Sequence, residues 1–477
     1  MEGGTAVANW ALSPLDISFL TVESAAIPMT IGAVAVLAAE PEGATDRWPL
    51  IELLRTRATE IPRLRRKLRS ELFPPVSASW AEDRAFRADA HVRLHHTVGG
   101  GGSEELNSWI ARIMSQRLDR SRPLWELHVL DGLADGRAAM LLKVHHAFLD
   151  GLGVGALAYA LADGGSPDKV PAPAGTNGTA NGSAGGNGHH GLPRFDPGKL
   201  LGPLAGLADP PALARTAARA LSTATGVITH MSTAGPGFPF DTVVSPARGF
   251  ATSSVALEDL RGLRTLCGGS VNDIGIGVLS GALRSWLELH HYRPDDTRLR
   301  ALVPVGRARS GNDGSGNHFS AFLLHLPVHL ADPIERLRFV AGEMARHRAA
   351  GAEGGAGALA GLTNLMPAAA VRLGGPMLAG AASKLFDMLV TTVPVPRPLA
   401  IGGCAVNEIY ALTPLGPNQP LAIGCSSYAG RMHYGFTVDP IVVPNPEQLA
   451  AAIPAQLAVV RTIAGLRAPA VKVPAPR

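Results

Sequence analysis

The sequence predicts a two-domain protein of mixed helix and strand, α/β or α+β, and three observations carry that prediction. The chain has 477 residues, more than one ordinary core organises, since single cores stop growing near roughly 250–300 residues. Segments with helical and with strand periodicity occur in both halves. Between them, residues 164–198 read GGSPDKVPAPAGTNGTANGSAGGNGHHGLPRFDPG, a tract almost without large apolar side chains. Burial cannot offset the ordering entropy of such a tract, so it reads as a mobile linker. A weakly amphipathic stretch near 211–231 follows, and a second globular part begins near Phe240. The expected division is therefore 1–163, a linker and crossover helix over 164–239, and 240–477.

In the first part, EELNSWIARIMSQRLD (104–119) spaces Leu106, Ile110, Ile113, Met114 and Leu118 at helical intervals, and Pro123 ends the pattern. WELHVL (125–130) and AAMLLKV (138–144) are strand-like and joined by the turn-rich DGLADGR, which predicts a hairpin. LGVGALAYALA, after Asp150 and Gly151, predicts a helix. In the second part, 256–266 and 271–291 read as helices, with Asn272 or Asp273 placed to cap the latter. Strands are expected at RLRALVPVG and NHFSAFLLHLPVHL, and a helix over 331–349 with Pro333 at its start. The remainder, through MLVTTVPV, IGGCAVNEIYAL, PLAIGCSSYAG and RMHYGFTV, reads mostly as strand.

The hydrophobic fraction is 46% and the charged fraction 17%, which excludes a disordered chain. A net charge of +4 and an isoelectric point near 9.1 give a mild cationic bias. That bias suits an anionic membrane surface or a phosphate-bearing ligand; no nucleic-acid motif accompanies it. Cys267, Cys404 and Cys425 are scattered and form no CxxC, so neither disulfides nor a zinc site is expected and a cytoplasmic setting is. MEGGTAVANWALSPLD lacks a basic n-region and an apolar h-region, so it does not read as a signal peptide. The least polar stretch, 354–385, carries only Arg372 and Lys384 as charges but is interrupted by glycines, Asn364 and Pro367. It reads as a helix on a core, a lipid tunnel or a membrane surface rather than as a spanning helix.

Four His-His pairs invite a search for catalysis. His189-His190 falls in the linker, where nothing positions an imidazole. His290-His291 closes a predicted helix, where histidines complement the helix C-terminus. His95-His96 lies on an alternating strand, one side chain per face. His145-His146, in LLKVHHAFLDG, ends a buried strand just before an Asp-Gly turn. Burial there tunes an imidazole around neutrality, and a purely structural reading is of equal weight on these grounds.

HHAFLDG (145–151) matches the HHxxxDG signature of the CoA-dependent acyltransferase superfamily, which includes chloramphenicol acetyltransferase and peptide-synthetase condensation domains. RSRPLWELHVLDGL (120–133) resembles the PLW block, and SVNDIGIGVLSGALRSWL (270–287) the ND block, of bacterial wax ester synthase/diacylglycerol acyltransferases. The opening 12–37, IPRLRRKL, WAEDRAFRADAHVR, TTVPVPRPLAIGGC and SSYAGRMHYGFTVDP resemble further blocks of that family in the same order. There are two departures. PMTIG puts Thr30 where the family commonly has histidine, and TTVPVP (391–396) replaces SNVPGP.

The resemblance implies two chloramphenicol-acetyltransferase-like domains with a tunnel and active site at their interface. It implies transfer of a long acyl group from acyl-CoA, as co-substrate and without another cofactor, to diacylglycerol or a fatty alcohol. By the same resemblance His146 is the general base and no acyl-enzyme forms. His145 supports it from the other face of the strand, and Asp150 holds local structure through an arginine, Arg307 or Arg309 being candidates, with orientation of the imidazole as its alternative role. Gly151 serves a positive φ or a close approach. Asn272 is the motif residue suited to an oxyanion, with helix capping by Asn272 and Asp273 an equal alternative. Pro123, Leu124 and Trp125 shape the hairpin entry and core. Peripheral contact with the inner membrane face or lipid inclusions is implied, and no nucleic acid. Other readings are a condensation-like or polyketide-associated acyltransferase and a non-catalytic lipid-surface protein. A metal held by His145, His146 and Asp150 is disfavoured because adjacent strand side chains diverge.

Overall fold

The computed structural model describes residues 10–39, 47–70, 78–98, 100–166, 170, 243–306, 319–350 and 386–465. The predicted linker apart from 164–166 and 170, its following helix, the 354–385 stretch, His189-His190 and both candidate arginines, Arg307 and Arg309, lie outside the described residues. The first half runs β1 (Trp10–Ala11), α1 (Pro14–Val22), β2 (Thr30–Leu37), α2 (Trp48–Glu60), β3 (Arg66–Ser70), β4 (Ala78–Glu82) and β5 (Val92–His96). It continues with α3 (Ser103–Met114), β6 (Trp125–Asp131), β7 (Ala138–His145) and α4 (Gly151–Leu161). The second half runs β8 (Gly249–Ala256), α5 (Leu257–Cys267), α6 (Val271–Leu289), β9 (Leu299–Gly306), β10 (Phe319–Leu326) and α7 (Pro333–Ala350). It ends with β11 (Met388–Pro394), β12 (Ala400–Ile401), β13 (Cys404–Leu412), β14 (Leu421–Tyr428), β15 (Arg431–Val438) and α8 (Pro446–Ile463).

Two six-stranded mixed sheets dominate, ordered β12-β13-β2-β7-β6-β5 and β10-β9-β11-β14-β15-β8, beside a small sheet β1-β4-β3. The mixed helix-and-sheet class read from the sequence is the one observed. The two large sheets interlock. β13 belongs to the second half of the chain, yet it pairs antiparallel with β2, Tyr410 opposite Val34. The first sheet is thus completed by residues 400–412, far along the chain from its other strands.

β7 is the centre of that first sheet, between β2 and β6, and all eight of its residues are buried. Met140, Leu142 and Val144 face a core that includes Leu50, Ile51 and Leu54 of α2 and Val154 and Leu157 of α4. Ala139 and Leu141 face Trp109, Ile110 and Ile113 of α3. Burial on both faces explains why AAMLLKV reads as a continuous apolar run rather than an alternation. Lys143 is also fully buried. Its ammonium donates to the carbonyls of Ile113 (2.8 Å) and Gln116 (2.6 Å) at the end of α3, satisfying acceptors that a helix C-terminus leaves open. α3 stops at Met114, five residues before the predicted end.

The tail differs from the sequence expectation in one element. α8 is a helix where strand is expected to predominate. Pro446 opens it, and it buries Leu449, Ile453, Leu457 and Val460 against the second sheet's core, although Pro454 lies within it. Among the described residues no single helix is long and apolar enough to cross a membrane. α5 and α6 pass that test only as a pair bent by 96°, and α6 is largely core.

Candidate active site

Where β7 ends, its neighbours in the sheet begin, and their backbones grip the histidine pair. The amide of His145 donates to the carbonyl of Leu124 at 3.0 Å, just before β6. The amide of His146 donates to the carbonyl of Met29 at 2.8 Å, just before β2. The chain then folds back, the amide of Phe148 donating to the carbonyl of His145 at 2.8 Å. The PLW and PMTIG blocks are therefore the two flanks of the HHxxxDG turn.

His145 is fully buried. Its Nδ1 accepts the amide proton of Ala147 at 3.0 Å, which places the ring proton of the neutral imidazole on Nε2. That Nε2 lies 3.5 Å from Oε1 of Glu23. The other carboxylate oxygen of Glu23 accepts from Arg120 Nη2 (2.7 Å) and Nε (3.1 Å). Burial pushes the Glu23 carboxyl up, but the nearby His145 and the bonds and charge of Arg120 overcome it and hold it near 2.

His146 is only partly buried and presents one ring face to Phe19, centroids 4.1 Å apart and planes inclined by 30°. Burial lowers its imidazole to about 4, against the opposing pull of its own backbone and of the Asp150 charge. At neutral pH it is uncharged, the state a general base requires. Asp150 accepts the amide of Gly153 at 2.6 Å and is the N-cap of α4, so its structural role is a helix cap.

Gly151 does not do what its residue type suggested. It is the first residue of α4, its φ is not positive, and an added Cβ would meet nothing within 4 Å. The close approach belongs to Gly153, where a Cβ would sit 2.8 Å from Leu149 Cδ2 and 3.1 Å from the capping oxygen of Asp150. Pro123, Leu124 and Trp125 are buried. The Trp125 indole donates to the carbonyl of Leu64 at 2.8 Å and stacks on His91, so it is committed to the core.

The ND pair sits at the start of α6, which packs mainly on α5, α7 and α8 rather than on β7. Ser270, not Asn272, is the N-cap, and Asp273 closes the capping box. Asp273 is fully buried and takes two bonds from Arg348, at 2.8 and 3.1 Å. Asn272 takes no part in the cap. It is half-buried in the first turn of α6, and Ser270 has the extended backbone a cap requires. Among the described residues no group of His, Cys, Asp and Glu is arranged to hold a metal.

The profile of the wax ester synthase/diacylglycerol acyltransferase catalytic domain matches residues 12–275. The chain belongs to the wax ester synthase/diacylglycerol acyltransferase family. The family's C-terminal domain matches residues 315–461. A probable diacylglycerol O-acyltransferase, tgs1, of Mycobacterium tuberculosis is 30% identical over 456 residues, 93% of this chain and 94% of that one. A second from that species, tgs2, is 28% identical and covers 94% and 97%. Among solved structures, the wax ester synthase/diacylglycerol acyltransferase of Marinobacter aquaeolei VT8 aligns with a TM-score of 0.69 at 23% identity, over 96% of this chain and all of that one. The first condensation domain of the calcium-dependent antibiotic synthetase aligns at 0.58, with 16% identity and 96% of each chain. The architecture is the two-domain fold these proteins share.

Within the wax ester synthase/diacylglycerol acyltransferase family, both departures of this chain have a place. Thr30 is buried and directly opposite His145 in the β2–β7 register. Thr391 and Thr392 lie inside β11, paired with Gly424 and Cys425 of β14. Sequence reasoning missed Phe19, Glu23, Arg63 and Arg120. Arg63, from IPRLRRKL, donates to the carbonyl of Phe148 and lies 4.9 Å from the Phe148 ring, bracing the turn after His146. The signal was present, since these residues fall in the blocks shared with the family. Their types gave no hint of a partner 85 to 127 positions away.

Proposed function

We propose that this chain moves a long-chain acyl group from acyl-CoA to the hydroxyl of diacylglycerol or a long-chain alcohol, forming triacylglycerol or wax ester, with His146 as general base. Family membership supports the reaction class, and the mycobacterial relatives carry the diacylglycerol acyltransferase name. The observation that carries the residue assignment is the uncharged His146 imidazole, pinned through its amide to Met29 and through its ring to Phe19.

An alcohol is a weak nucleophile at neutral pH. His146 takes its proton as the oxygen attacks the thioester carbonyl. The tetrahedral intermediate then collapses, the C–S bond breaks, and the proton passes from His146 to the departing thiolate. No acyl-enzyme, metal or further cofactor is required. Asn272 is the motif residue able to donate to the oxyanion, because Asp273 is a carboxylate already committed to Arg348. His145 and Asp150 hold the turn. Acceptor lipids are insoluble in water, so the enzyme works in peripheral contact with a membrane or lipid inclusion.

Purified protein incubated with palmitoyl-CoA and either diolein or hexadecanol tests the reading through thiol release and neutral-lipid formation. Turnover with one or both acceptors, lost in His146→Ala, is expected. Rates no higher than the His146→Ala control with either acceptor refute it.

A further inference from the structure

We propose that Glu23 is a positioning residue of the acyl-transfer site, acting on His146 through His145. The inference rests on His146 being the base. It starts from the last turn of α1, which touches both histidines at once. Phe19 lies on the ring of His146, and Glu23, whose amide donates to the carbonyl of Phe19 at 3.2 Å, faces the ring of His145.

His145 is able to transmit that contact. Its Nδ1 holds the amide of Ala147, so the ring bridges across the residue between, His146. Rotating the His145 ring would release Ala147 and loosen the peptide that carries the base. The carboxylate of Glu23 against Nε2 opposes that rotation. Glu23 itself is held by two bonds from Arg120, whose Nη2 also donates to the carbonyl of Leu20 at 2.7 Å. The side chains of Glu23 and His145 are each 1% exposed. A carboxylate buried to that degree is costly unless paired; Arg120 bonds one oxygen of Glu23, and the other lies 3.5 Å from His145 Nε2. A base held by a locked neighbour keeps the short approach to substrate that proton transfer requires, and small displacements of such a base cost rate.

The test compares wild type, Glu23→Ala, Glu23→Gln, Phe19→Leu and His146→Ala in the palmitoyl-CoA and hexadecanol assay, with folded protein measured by circular dichroism and thermal melting. Glu23→Ala is expected to lower kcat by roughly tenfold or more with KM for palmitoyl-CoA within about twofold. Glu23→Gln keeps a carbonyl oxygen to receive the Nε2 proton and is expected to recover most of that loss. Phe19→Leu, which keeps apolar bulk without the ring plane, is expected to lower kcat several-fold at unchanged KM. A kcat for Glu23→Ala within about twofold of wild type overturns the proposal. So does a loss shared equally by the Ala and Gln variants and matched by a loss of folded protein. Should Glu23→Ala fail to fold, Glu23→Asp, whose shorter side chain withdraws the carboxylate from Nε2 and keeps the charge for Arg120, takes its place: kcat lowered several-fold at unchanged KM supports the proposal, and kcat within about twofold of wild type overturns it. Wild-type rates in His146→Ala would remove the base assignment itself. Loss there with full rate in Glu23→Ala removes only the positioning role.

Discussion

The amide of His145 donates to the carbonyl of Leu124 at 3.0 Å, so the start of one strand fixes the end of the next. The PLW block is tied to the histidine turn by this backbone bond, while its tryptophan serves a different end. The Trp125 indole is fully buried and bonded to Leu64. Trp125→Phe is expected to cost about 1–3 kcal/mol through lost volume and an unpaired carbonyl. Calorimetry should show a lower Tm, and kcat per folded molecule should stay within about twofold.

The low imidazole value of His146 gives a pH signature. Burial holds the ring near 4, below the ordinary 6.5, and protonation is what disables a base. The rate of thiol release per folded enzyme should therefore be level from neutral pH through the ordinary imidazole value and fall only as the pH approaches about 4. A half-maximal rate at the ordinary imidazole value in the profile of kcat/KM would contradict the assignment of His146.

Asp150 caps α4 through Gly153. Asp150→Ala should cost about 1 kcal/mol, and Asp150→Asn or Asp150→Ser should restore most of it, since each keeps a capping oxygen. Denaturant melts of the three variants decide this. Equal loss in all three would show that the charge, not the cap, is what the turn needs.

The two residues of the ND pair should separate cleanly. Asp273 is fully buried between Ser270 and Arg348, the latter 48% exposed. Asp273→Ala is expected to destabilise by about 2–3 kcal/mol, less than a wholly buried pair because Arg348 is reached by water. Asn272→Ala should stay within about 0.5 kcal/mol yet lower kcat by about 10²–10³ if its amide meets the oxyanion. Melting curves and kcat measured on the same preparations read both effects.

Much of the fold was legible because local periodicity and capping chemistry act over a few residues. The β6–β7 hairpin, α4, α5, α6 and α7 all fall where the pattern puts them, since each buries a face its own spacing defines. α8 escaped because Pro454 interrupts a helical stripe that packing against the second sheet sustains. α3 ends earlier than its apolar spacing suggests, and Lys143, from another strand, bonds carbonyls at that end. At the site, HHAFLDG named the turn and its resemblance named the chemistry, but the roles of its glycine and of the ND pair were decided by backbone geometry. Gly151 has no left-handed φ, and Ser270 supplies the cap that Asn272 and Asp273 were candidates for.

By itself the sequence determined the mixed two-domain class and the family, and it singled out the His145-His146 pair for the proposed site. All of these rest on residue type and short spacing. Only the tertiary structure decided that residues 400–412 complete the first sheet, that Met29 and Leu124 flank the histidines, and that Glu23, Arg120 and Phe19 stand behind them. Those relationships join positions tens to hundreds of residues apart. Strand pairing and burial create them, and no local pattern encodes them.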